Sequence, residues 1–279
     1  MKSSNLKSTL SRGQFVVTAE FYPPRGANKE EIEKRASFLK DIVDALVVAD
    51  NPLARVHMSP LATAAAILKV GLEPIMQIGT RDRNRIAIQS DILGASALGV
   101  KSVFCLEDCH QKIGDFPGTK GVFDLDYVQL IQIIKKMKGV DVLVGAEVNP
   151  FADPLELHLI NVSKKIKAGA DLFQTVPIFN LERFKEFMAF IRKKGVYILA
   201  GVKPLQSVQM AQSLFRTDVP DEIIQRLKRC HEKKQAEEGI RICVEMIKFL
   251  KEIKGVNGIH IFAADWEEVI PTLVREAGL

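Results

Sequence analysis

The segment VVTAEFYPPR, Val16 to Arg25, decides how the rest of the chain reads. The β-branched residues Val16, Val17 and Thr18 favour extended chain, and Pro23 and Pro24 cannot donate to a sheet ladder, so a strand ends just before them. Glu20 therefore stands at the carboxyl end of a strand. On composition alone, a lone glutamate in that place is more often a solvated surface charge than a working group. Its meaning depends on what the neighbouring segments build.

Working outward, FVVTAEF is the first of a series of short apolar runs continued by DALVVAD, EPIMQIG, KSVFCLE, DVLVGAE, DLFQTVP, VYILAG and GIHIFAA. Longer helical patterns such as KEEIEKRASFLKDI and LERFKEFMAFIRKKG lie between them, and several end in Gly. This alternation, with no composition break, predicts an α/β fold: a (βα)8 TIM barrel spanning 1–279 as a single domain. The stretch from Gln206 to Glu252 is too long for one crossover and is broken at Pro220-Asp221. It predicts extra helices, two or three, in the seventh βα unit. No glycine-rich phosphate loop follows any strand, which argues against a Rossmann fold.

Hydrophobic residues make up 47% and charged residues 26% of the 279, the composition of a folded globular chain. The net charge of +5 gathers in short runs such as Arg192 to Gly195, which suit the carbonyl ends of helices. No basic stripe interleaved with aromatics is present, so no nucleic-acid partner is expected. Cys105, Cys109, Cys230 and Cys243 are too scattered for a disulfide framework, and no apolar stretch has the length of a signal peptide or a membrane span. A cytoplasmic protein without membrane insertion is expected. Cys105, Cys109 and His110 lack paired metal-ligand spacing, so no metal is expected.

Barrel enzymes keep their chemistry at the carboxyl ends of the strands. There the sequence places Glu20, Asp50, Asn51, Gln77, the run Thr80 to Arg85, Glu107 to His110, Glu147, Asn149, Gln174, Thr175, Lys203 and Asp265. So many polar groups around one rim suit a large polar ligand.

The motifs AEFYPPR, GTRDRNR, KKIKAGADLFQT, LAGVKPL and GIHIFAADWEEVIP, in this order, resemble those of the methylenetetrahydrofolate reductase family in its short bacterial form. The resemblance implies a barrel that binds FAD and reduces 5,10-methylenetetrahydrofolate to 5-methyltetrahydrofolate. It also implies that Glu20 is the general acid, protonating the leaving ring nitrogen as the imidazolidine ring opens, with a pKa raised by partial burial. Flavin-contacting positions fall, by the same resemblance, on Gln77, Arg81, Asp82, Arg83, Asn84, Asp108, Cys109, His110, Asn149, His158, Asn161, Lys164 and Lys165. Substrate positions fall on Glu20, Gln174, Thr175 and Lys203. Read from the residues alone, Thr80 and Asp82 serve equally as caps of the helix beginning near Asn84, and Lys164 and Lys165 as a solvated helix turn.

The chain also departs from the family pattern. The Thr-Gln pair of the sixth strand is Thr175-Val176 here, which leaves Gln174 as the nearby amide, and the Gly-Asp of the fourth loop is Asp108-Cys109. The last strand ends in IFAAD without the expected tyrosine. This implies an electron-delivering partner subunit, a homo-oligomer, or both.

Overall fold

The computed structural model describes residues 6–107, 109–214, 216–264 and 266–279. The apolar runs become β1 (Val16–Phe21), β2 (Ala45–Val48), β3 (Glu73–Ile78), β4 (Ser102–Cys105), β5 (Leu143–Val148), β6 (Leu172–Pro177), β7 (Tyr197–Val202) and β8 (Gly258–Ile261). Each pairs in parallel with the next and β8 returns to β1, closing an eight-stranded barrel.

The period of two sorts every strand into two faces. Val17, Ala19 and Phe21 join the apolar layer beneath the helices, while Val16 joins an inner cluster with Ala45, Val47, Ile75, Phe104, Leu143, Leu172 and Leu199. Inner packing is tight at Gly145, where a Cβ would lie 2.7 Å from the Phe104 ring. Helix α1 (Leu6–Ser11) plugs the amino-terminal end with Leu6 and Leu10, its first N–H donating to Glu73 Oε2 at 2.7 Å.

The outer layer consists of α2 (Lys29–Leu39), α3 (Pro60–Val70), α4 (Arg85–Leu98), α5 (Tyr127–Lys136), α6 (Leu155–Ala168) and α7 (Leu181–Ile191). Asn28, Ser59, Asn84 and Asn180 cap their helices through side-chain oxygens, and Asp126 forms a capping box with Gln129. The seventh unit holds the extra helices: α8 (Val208–Ser213), α9 (Asp221–Arg229) and α10 (Glu232–Glu252). Helix α10 runs against the Leu205 carbonyl at Gly239, where any side chain would collide with that oxygen. The chain closes with α11 (Ile270–Ala277). No described helix is long and apolar enough to cross a membrane.

Candidate active site at the carboxyl mouth of the barrel

Glu20 is the last inward-facing residue of β1, following Val16 and Thr18 on that face. It is half-buried and lines a cavity of about 200 Å³ with Tyr22, Lys203, Phe262 and Trp266. Lys203 follows β7 directly and donates to the Phe262 carbonyl at 3.3 Å. The cavity thus pairs a carboxylate and an ammonium with aromatic walls. Trp266 is also part of this wall.

The rim formed by β2 to β5 has another character. Arg81 is 2% exposed; its guanidinium donates to both Asp82 oxygens at 2.9 and 2.7 Å, to the Asn51 carbonyl, and to the carbonyl and sulfur of Cys109. Arg83 pairs with Asp50 and, at 3.1 Å, with Asp91. Asp50 also accepts from Gly79 N at 2.9 Å, and Gln77 accepts from Asp50 N at 3.2 Å.

Lys165 is 1% exposed, so it is not part of a solvated helix turn. Its ammonium donates to Glu107 at 2.6 Å and to the Glu147 carbonyl at 2.7 Å, and lies 4.5 Å above the Tyr127 ring. Arg216, from the loop between α8 and α9, reaches across to Glu147 at 2.6 Å. Burial pushes the Glu147 carboxyl above its ordinary range, and Arg216 opposes that shift. His158 Nε2 accepts from Asn149 N at 2.9 Å. Burial, reinforced by the Lys165 charge, pushes the imidazole down to about 4, so it is neutral at physiological pH.

Several expected ligand groups have structural duties. Asn84, not Thr80 or Asp82, caps α4 by accepting from Ile86 N and Ala87 N. His110 caps a short 3₁₀ turn at Gln111–Ile113. Thr175 is fully buried in the β6–β7 seam, donating to the Val176 carbonyl and accepting from Gly201 N at 2.8 Å. Its neighbour Gln174 pairs in register with Glu147, and its Oε1 is buried without a partner. Asn161 is half-buried and Lys164 exposed on α6. Asp108 and Asp265 lie outside the described residues.

Sequence reasoning missed Arg216. Two strand-end carboxylates, Glu107 and Glu147, were the available signal for cations nearby. Cys105 faces the helices, fully buried, its thiol pushed up to about 12 by burial.

The sequence profile of the methylenetetrahydrofolate reductase family matches residues 5–278. The chain belongs to that family. Membership makes it an oxidoreductase. It is 23% identical over 282 residues to 5,10-methylenetetrahydrofolate reductase of Pectobacterium carotovorum subsp. carotovorum and 22% over 281 residues to that of Escherichia coli (strain K12). Both matches cover 96% of this chain and 92% of the relative. Among solved structures, an uncharacterized protein from Clostridium thermocellum that binds two copies of 5-methyl-5,6,7,8-tetrahydrofolic acid superposes with a TM-score of 0.67. It is 17% identical, with 97% of this chain and 98% of that one covered. A 2,3-dimethylmalate lyase superposes with a TM-score of 0.57 at 16% identity, covering 99% and 87%. At these identities the structural likeness shows a shared barrel and nothing finer.

Proposed function

We propose that the chain catalyses FAD-dependent reduction of 5,10-methylenetetrahydrofolate to 5-methyltetrahydrofolate, with the reacting end of the folate in the Glu20 cavity. The observation that carries this reading is the pairing of Glu20 and Lys203 on one aromatic-walled cavity at the barrel mouth, in a chain matched end to end by the family profile. The Clostridium thermocellum neighbour, a barrel binding a reduced folate, supports it.

Glu20 donates its proton to the leaving ring nitrogen, so that the bond from that nitrogen to the methylene carbon breaks and the remaining nitrogen forms an electrophilic iminium. Phe262 and Trp266 offer flat apolar faces to the folate rings. Lys203 supplies a donor for a carbonyl or carboxylate of the ligand.

Amino-acid side chains carry no hydride, so a cofactor must supply one, and FAD does this chemistry when bound. The β3–β6 rim would suit the polar edge of a flavin. Gln174 Oε1 and Arg83 Nε are buried there without partners, beside buried Gln77 and Asn149. Gln77, Asn149 and Gln174 would hold the ring edge, and Lys164 and Lys165 the diphosphate. The fit has a cost, because a phosphate at Lys165 would compete with Glu107 for the ammonium. We therefore expect FAD to bind reversibly.

The Lys165–Glu107 pairing favours a second reading: a flavin- or folate-binding barrel subunit of a larger methyl-transfer or electron-transfer complex, without independent reductase activity. Glu20→Gln separates the pieces. Turnover of methylenetetrahydrofolate with a reduced donor should fall by about 10²-fold or more, while flavin reduction is retained. Turnover equal to wild type would remove Glu20 from the chemistry. Absence of turnover in the wild type, with folate still bound, would select the second reading.

A further inference from the structure

Helix α4 is apolar on both sides. Ile88, Ile92 and Ala95 bury its inner face against the barrel, the single stripe that a barrel helix requires. On the opposite side Ile86, Ser90, Leu93 and Ala97 follow at spacings of four, three and four residues, and all are exposed, Ile86 at 75% and Leu93 at 51%. Helix α3 lies alongside, so close that a Cβ at Gly94 would stand 3.6 Å from Leu61 Cδ2, and its exposed Ala62 is small and uncharged too. Across the 11 residues of α3 and the 14 of α4 only Lys69, Arg85 and Asp91 are charged, and Asp91 is turned to Arg83 at 3.1 Å. Helix α2, also 11 residues long, carries six charged residues.

We infer that α3 and α4 form an interface between two copies of this chain, packed antiparallel across a two-fold axis. A partner bringing charges to this face would bury them against Ile86 and Leu93 without counter-ions, a cost that such a small face does not offset. The complement is therefore uncharged, and the same face of a second copy meets that condition. Its relief suits self-packing, because small Ser90 and Ala97 stand on either side of Leu93 and leave room for the leucine of the other copy. The flanks are polar, with exposed Lys34 on α2 and exposed Gln132 and Lys136 on α5, as the rim of an interface is.

Charge sets the direction. Arg85, at the start of α4, is already matched by Asp124 at 2.8 Å, whereas Lys69 stands exposed in the last turn of α3. Antiparallel packing brings each Lys69 toward the Arg85–Asp124 pair of the other copy, and parallel packing brings the two Lys69 side chains together. The helices are about 16 and 21 Å long at 1.5 Å per residue. That face is small beside the roughly 800 Å² per partner of a standard interface, so the dimer should dissociate at about 10 µM.

Sedimentation equilibrium of the full chain, at concentrations spanning that value, tests the interface. Wild type should pass from monomer to dimer. Leu93→Arg should raise the dissociation constant about a hundredfold or more, because each copy would bury an unpaired guanidinium. Phe249→Arg, at a similarly exposed apolar position on α10, should leave the constant unchanged. Lys69→Met should weaken the antiparallel dimer about threefold, and a tightened dimer would overturn the antiparallel arrangement. A wild type that stays monomeric throughout would leave the face to another protein and overturn the second-copy assignment. A dimer that Leu93→Arg does not loosen, or that Phe249→Arg loosens as much, would overturn it equally.

Discussion

The two halves of the barrel mouth are built on opposite electrostatic plans. Around β1, β7 and β8, Glu20 and Lys203 face a cavity with aromatic walls. Around β3, β4 and β5, Arg81, Arg83, Lys165 and Arg216 each meet a carboxylate of the chain itself. The first half offers a ligand its charges and its space. The second has already matched its charges, so an anionic ligand there must exchange partners. On the function proposed above, a barrel that carries both plans would take folate readily and flavin at a cost.

The largest expected effect is on stability, in the closed half. Lys165→Met leaves the half-buried Glu107 carboxylate without its 2.6 Å partner and the Glu147 carbonyl without its donor, and unfolding free energy should fall by about 3 kcal/mol in a urea titration. A loss under about 1 kcal/mol would mean that this half is solvated and that the contrast is false. In the open half, Trp266→Ala should weaken folate binding about tenfold and leave FAD affinity unchanged, the worth of a lost aromatic face. If both ligands weaken equally, the halves are not separate sites.

The sequence carried the barrel because its periods are local: short β-branched runs and helical patterns alternate from FVVTAEF to GIHIFAA, and each became its strand or helix. Glu20 was legible for the same reason, since Pro23-Pro24 marks the strand end beside it. Lys165 was not legible. Its partner Glu107 lies 58 residues away and meets it only when β4 and α6 are brought together. The β6–β7 register shifts between Gln174 and Pro177, an irregularity that strand alternation does not signal. A second cavity, beyond Tyr22, is assembled from the loops after β1, β2 and β8, whose approach no local pattern encodes.

Smaller effects sharpen the assignment of roles. Asn84→Ala removes the acceptor for two backbone N–H groups of α4 and should cost about 1 kcal/mol of stability with flavin affinity kept. A loss of flavin affinity instead would return Asn84 to the ligand set. His158 gives the smallest signal. Its folded pKa of about 4 lies below the ordinary 6.5, so the unfolded chain takes up the proton first as pH falls. Its contribution to stability is therefore complete above about pH 6.5 and lost as pH falls to about 4. His158→Gln should flatten that part of the decline in urea midpoint between pH 7 and pH 5, and an unchanged slope would place the acid sensitivity elsewhere.

The contrast between the halves is tested most directly by titrating FAD and 5-methyltetrahydrofolate separately into wild type and Glu107→Gln, which releases Lys165 from its carboxylate. The folate should bind both proteins alike and without flavin. FAD should leave the wild type on gel filtration and bind Glu107→Gln about tenfold tighter, as expected when one competing charge is removed. Retention of FAD at full occupancy by the wild type, with no gain in Glu107→Gln, would contradict the charge-matched half and restore Lys165 as a ready-made phosphate ligand.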